Sequence, residues 1–221
     1  HEVTISRLFY MGVTHVTVDQ FAAFVKDSGY KTDADKYGWS SGFEIKDGNP
    51  NLMVDPQAKR WHDMMVGGKG VEAASEMIAA QSNNRIPAVI KDPKMARSIW
   101  LKNTTIMEKY NDPGRFTAFI GYEWTSNAGG DNLHRNVIYR DGKDKADRVL
   151  PYTTFQSENP EDLWKWMTEW EKTTGGRLLA IPHNGNLSNG RMFALTTFSG
   201  DPLSKAWADE RQKWEPLFEA I

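Results

Sequence analysis

The sequence predicts an α/β protein, and three observations carry that prediction. Apolar residues recur at helical spacing in several segments. Short runs of β-branched and aromatic residues stand between them. Stretches rich in Gly, Asn, Asp and Pro separate one from the next. Helix–strand alternation implies a largely parallel sheet, without distinguishing a closed barrel from an open one.

Taken in order, Val16 to Tyr30 carries Val18, Phe21, Ala22 and Val25 and reads as a helix. Lys31 to Pro56 is dense in Gly, Asp, Ser, Asn and Pro and reads as loop. Gly70 to Ser82 places Val71, Ala74, Met77 and Ile78 on one helical face, and Pro93 to Tyr110 does the same with Ala96, Ile99, Trp100, Ile106 and Met107. Asn111-Asp112-Pro113-Gly114 is a turn, after which Phe116 to Trp124 and His134 to Arg140 read as strands. Asn159-Pro160-Glu161 opens a helix with a cap, a first-turn proline and an acid at the positive end. That helix buries Leu163, Trp166, Met167 and Trp170, and Gly175-Gly176 ends it before the strand Arg177 to Ala180. Asp201-Pro202 opens a last helix through Ala206 and Trp207, and Trp214 to Ile221 reads as the start of a further strand.

Three residues stand at strand ends with metal-ligating chemistry: Glu123, His134 and His183. Imidazole nitrogen and carboxylate oxygen together suit Zn, Mn or Fe. Each also has a plainer reading, the histidines as structural residues and Glu123 as an ion-pair partner of Arg135 or Arg140. His183 is followed by a run, Asn184 to Arg191, whose Asn, Ser and Gly content suits a binding loop rather than a packed core. Asn184 and Arg191 are the candidate catalytic residues there, with Asn186, Ser188 and Arg191 as candidate contacts to an anionic substrate. A guanidinium matches a tetrahedral oxyanion with two parallel hydrogen bonds. The alternative for Arg191 is a surface arginine lying over Phe193.

Phe116 to Thr125, Asn132-Leu133-His134-Arg135-Asn136-Val137, Gly175-Gly176 and Ile181 to Phe193 resemble the DUF3604 family, proteins related to the PHP phosphoesterases. The resemblance runs from about Trp61 to the end of the chain, with residues 1–60 outside it. It implies that residues 1–221 are part of one PHP-like domain, a distorted TIM-type barrel that is incomplete in this chain. It also implies metal ligation by Glu123, His134 and His183, the three residues already singled out. The H-x-H pair, D-H pair and late D-x-H of PHP-like sites do not occur in the chain. One placement puts the D-H pair at Ser6-Arg7, and arginine cannot ligate a metal; the other leaves the first sixty residues outside the resemblance. A fragment of a longer protein is the simplest expectation.

Composition narrows the function. Twenty-seven basic residues balance 29 acidic ones and no basic cluster stands out, so nucleic acid is a poor expected partner. No apolar run reaches the length of a membrane span. Cysteine is absent, which excludes disulfides and thiolate metal sites and leaves periplasmic, secreted and cytoplasmic settings open. Nine tryptophans are many for 221 residues; they line a cleft or, more commonly, pack a core. The expected activity is metal-dependent hydrolysis of a small anionic ester, a phosphoester first and a sulfate ester second. An inactive module that binds a ligand or partner is the reading from another class.

Overall fold

The structure is a computed structural model that describes residues 17–31 and 55–220. The Ser6-Arg7 placement and most of the 31–56 loop lie outside the described residues.

The site rests on a three-stranded sheet of β1 (Ile120–Trp124), β2 (Arg135–Tyr139) and β3 (Leu178–Pro182), in the order β1-β2-β3. Both pairs are antiparallel. This corrects the largely parallel sheet expected from alternation. The reason is the short connection between β1 and β2. A parallel neighbour needs a crossover of a dozen or more residues, usually a helix. Residues 125–134 hold only a 3-10 turn at Ala128–Gly130, so the chain turns straight back. Among the described residues the sheet has three strands and does not close on itself.

Register then sorts the side chains. Tyr122 faces Val137, which faces Ala180; Glu123 faces Asn136, which faces Ile181. Successive residues of a strand point to opposite faces. Ile120, Trp124, Val137, Tyr139, Leu178 and Ala180 therefore share the core face and are buried. Glu123 belongs to the other face. So do positions 134 and 183, by the same alternation carried one residue past β2 and β3.

The helices in chain order are α1 (Val18–Ser28), α2 (Pro56–Val66), α3 (Gly70–Ser82), α4 (Pro93–Tyr110), α5 (Lys143–Ala146), α6 (Pro160–Thr174) and α7 (Lys205–Trp214). Helix α1 has a full capping box between Thr17 and Gln20 and ends on left-handed Gly29. Helix α2 escaped the sequence reading, although Asp55 caps it and Pro56 opens it. Its apolar content is slight: Ala58 and Trp61 are its buried residues, and Trp61 donates to Glu76 of α3 at 3.1 Å. Helix α3 forms where expected but buries Ala73 and Ala80 instead of the Val71 face; Val71 is 80% exposed. Small residues let α2 approach closely, a packing reason that hydropathy alone does not register. In α4, Trp100 is buried as expected, while Ile99 and Ile106 are exposed and Met95 and Thr104 are buried in their place.

Helix α6 forms as its signals predict, with Asn159 accepting from the Glu161 amide at 2.9 Å and Gly175 left-handed at its end. It lays Leu163, Trp164, Met167 and Trp170 on the core face of the sheet. Trp166 is half-buried and stacks on Tyr152 at 6.1 Å. Trp214 ends α7 inside the same core, so the expected C-terminal strand does not begin there; beyond it Glu219 donates one backbone bond to Pro182 at the edge of β3. Six of the tryptophans (Trp61, Trp100, Trp124, Trp164, Trp170 and Trp214) are buried, which answers the cleft-or-core alternative for them in favour of the core.

Beneath the sheet end lies a buried ion pair. Arg135, at the first position of β2, donates from Nε to Glu215 at 3.0 Å, and both side chains are at most 2% exposed. Trp164 Nε1 donates to the same Glu215 oxygen at 2.8 Å, and Arg211 Nε to the other at 3.1 Å. Arg140 contacts Asp141. Neither Arg135 nor Arg140 is thus the partner of Glu123.

Candidate metal centre

β1 and β3 end, and β2 begins, at the same edge of the sheet. Glu123 comes from the last turn of β1, His134 directly precedes β2, and His183 directly follows β3. The His183 amide donates to the His134 carbonyl at 3.2 Å, which extends the β2–β3 ladder by one bond and sets the two histidines side by side. Their rings lie 5.7 Å apart. One potential ligand atom from each of Glu123, His134 and His183 lies within 4.8 Å of the other two.

Glu123 Oε1 is the centre of this group. His134 Nδ1 is 2.7 Å from it, His183 Nε2 is 3.5 Å away, and the Thr125 hydroxyl donates to it at 3.1 Å. His183 Nε2 is buried and has no hydrogen-bond partner. Buried polar atoms are rarely left so, and an unpaired imidazole nitrogen beside a carboxylate has the chemistry to accept a cation. A donor set of two nitrogens and one oxygen is one that Zn, Mn or Fe accepts.

The Glu123 carboxyl is held down at about 2, against an ordinary 4.5, first by its hydrogen bond with His134; burial opposes this, and Thr125 and the nearby charges add to the lowering. A carboxyl lowered on folding contributes stability that is present above its unfolded value and lost as pH falls through its folded value. In metal-free protein, the Glu123 contribution is therefore expected in full above pH 4.5 and gone near pH 2. The side chain is 41% exposed, so solvent screens much of it. Glu123→Gln should flatten the fall in thermal midpoint between those pH values; an unchanged slope would refute the assignment.

The β1–β2 connection frames His134. Its amide donates to Asn132 Oδ1 at 3.1 Å, its Nε2 is 3.0 Å from Asn127 Oδ1, and Asn132 Nδ2 approaches Nδ1 at 3.2 Å. Glu158 anchors the connection, its carbonyl accepting from Ser126 Oγ at 2.9 Å and its carboxylate from the Asn127 amide at 3.2 Å. On the other side, Glu219 Oε2 accepts from the Asn184 amide at 2.9 Å and stands 4.0 Å from His183 Nδ1. Asn127, Asn132 and Glu219 were not singled out from the sequence as site residues. For the first two a signal existed: Ser126 to Asn132 is nearly as dense in Asn and Gly as Asn184 to Gly190.

The loop after His183 turns on left-handed Asn184, Asn189 and Gly190. Asparagine tolerates that region better than most residues, which accounts for its density here. Asn186 is exposed. Ser188 is 1% exposed; its hydroxyl donates to the Gly185 carbonyl at 2.7 Å and accepts from the Met192 amide at 3.2 Å. This corrects the expectation of a substrate donor: the hydroxyl is buried and spent on the loop backbone. Arg191 donates from Nη1 to the Ala128 carbonyl at 2.6 Å and to Asp131 at 3.0 Å, and its guanidinium lies over Phe198, not Phe193. It ties this loop to the β1–β2 connection.

The sequence profile of the family described as "Protein of unknown function (DUF3604)" matches residues 32–221. The chain belongs to the DUF3604 family. It is also similar to a formylglycine-generating enzyme of Thermomonospora curvata, 28% identical over 174 residues that take in 68% of this chain and 56% of that protein. This DUF3604 chain thus spans about half the length of that curated relative. No solved structure matches it. Among the described residues no helix is long and apolar enough to cross a membrane.

Proposed function

We propose that Glu123, His134 and His183 of this DUF3604 chain are metal ligands in the active site of a metal-dependent hydrolase of small anionic esters. The observation that supports it best is the meeting of Glu123, His134 and His183 at one sheet edge, with His183 Nε2 buried and unpaired. A bound divalent ion supplies Lewis acidity and a water acidified toward neutrality. The protein's own contribution is to keep Glu123 ionised, to offer two imidazole lone pairs, and to hold both flanking loops in place. Arg191, through Asp131 and Ala128, joins those loops; it positions the rim, and its remaining guanidinium donors are available to an ester anion. Asn184 and Asn186 supply amide groups next to His183. A sulfate ester, whose tetrahedral oxyanion would meet the same metal and the same donors, is the second reading.

The test is metal analysis and titration of the protein with Zn, Mn and Fe, followed by its turnover of an aryl phosphate and an aryl sulfate. Near-stoichiometric metal and chelator-sensitive turnover are expected, and the better substrate identifies the ester. A folded chain that takes up no metal would overturn the enzyme reading and leave a binding module. Arg191→Ala should retain its metal, because no ligand is removed, while KM or kcat suffers. Loss of metal together with activity would show that Arg191 acts through the ligands instead.

A further inference from the structure

We propose that the two histidines present opposite nitrogens to a shared cation, Nδ1 of His134 and Nε2 of His183, and that Asn127 is the positioning residue that imposes this on His134. The proposal rests on the metal-centre reading above and deepens it.

The geometry of His134 leaves one choice. Its Nδ1 is 2.7 Å from Glu123 Oε1, while Nε2, on the other side of the ring, is 3.0 Å from Asn127 Oδ1. Only Nδ1 shares a side with Glu123 and His183. A ligating nitrogen needs its lone pair, so an entering ion must displace the Nδ1 proton that bonds Glu123 in the metal-free protein, leaving the ring proton on Nε2, and the hydrogen bond made by the second nitrogen is what holds it there. Asn127 Oδ1 is the acceptor that receives it. A flipped amide would aim its NH2 at Nε2 and drive the proton onto Nδ1, where it would occupy the ligand position.

Asn127 is well held for this task. It is 9% exposed, and its backbone amide is fixed by Glu158 at 3.2 Å. Its Nδ2 is buried without a partner. An unpaired buried donor costs stability, which marks this amide as placed for His134 rather than for the core. His183 is arranged the other way round. Its unpaired Nε2 is 3.5 Å from the same Glu123 oxygen, and its Nδ1 side faces the Glu219 carboxylate at 4.0 Å.

The chain labelled with 15N-histidine and loaded with 113Cd2+ reads the assignment directly through cadmium–nitrogen coupling. Coupling is expected at Nδ1 of His134 and Nε2 of His183. Coupling at Nε2 of His134, or at the same nitrogen of both rings, overturns this assignment and leaves the metal centre standing. No cadmium binding at all overturns both. Asn127→Leu removes the acceptor and should weaken Zn2+ binding by roughly 10–100-fold, with the His134 coupling lost or divided between nitrogens. Asn127→Asp restores an acceptor and should keep the wild-type coupling. Wild-type affinity and coupling in the leucine variant would overturn the positioning role. Should that variant not fold, Asn127→Ala, which removes the same acceptor without adding bulk, carries the same two outcomes.

Discussion

His183→Ala is expected to abolish metal binding by this chain while the fold survives. The imidazole is the side chain whose Nε2 has no other partner, so nothing in the protein takes over its role. The structural bond at this position is made by the backbone, from the His183 amide to the His134 carbonyl, and alanine keeps it. The loss in affinity should exceed the roughly 10–100-fold that follows removal of an outer hydrogen-bond partner, because a ligand itself is gone. On the proposed hydrolase reading, turnover of an aryl phosphate or aryl sulfate should fall by orders of magnitude, since the ion that would activate the water would no longer be held. Titration of Zn2+ into wild type and variant, with circular dichroism as the check on folding, measures the first effect. Wild-type metal content and activity in the variant would sink the proposed mechanism.

Glu215→Ala is expected to cost about 3–5 kcal/mol, the penalty for stranding a charge when one partner of a buried pair is removed. Arg135 would remain 2% exposed with its Nε unpaired, and Trp164 Nε1 would lose its acceptor as well. At this size each kcal/mol lowers Tm by roughly 2–4 °C, so the shift is large and simple to measure. Replacing both partners, Arg135→Met with Glu215→Leu, should recover part of the loss, because the buried Arg135 charge is removed with its partner, while Arg211 and Trp164 stay without their Glu215 acceptor. A single variant as stable as wild type would show that Arg135 escapes to solvent. The effect reaches the site, because Arg135 follows His134 and pins the start of β2 to the base of α7.

Much of this was readable along the chain. Local chemistry determined α6 from Asn159-Pro160 to Gly175, the presence of α1, the three strand cores and the candidate ligands Glu123, His134 and His183. Each of these depends on neighbours within a turn or on the alternation of a single strand. The same signals underreported α2, whose apolar face is nearly confined to Ala58 and Trp61, and misjudged which face α3 buries, because close approach of helices selects small residues such as Ala73 and Ala80 over larger ones.

Strand direction, partner choice and side-chain commitment came from tertiary structure alone. The antiparallel order follows from how short the 125–134 connection is when the strands pair, and it brings the end of β1, the start of β2 and the end of β3 to one edge. Glu215 lies 80 residues from Arg135 in sequence, and no local pattern announces their pairing. Ser188 and Arg191 look like substrate donors in a list of residues, yet the folded loop turns one inward and joins the other to Asp131 and Ala128. The sequence by itself determined which residue types stand at the strand ends, because that is a property of short segments. Which of their atoms face one another, and which are already spoken for, depends on contacts between segments distant in the chain, and those exist only once it has folded.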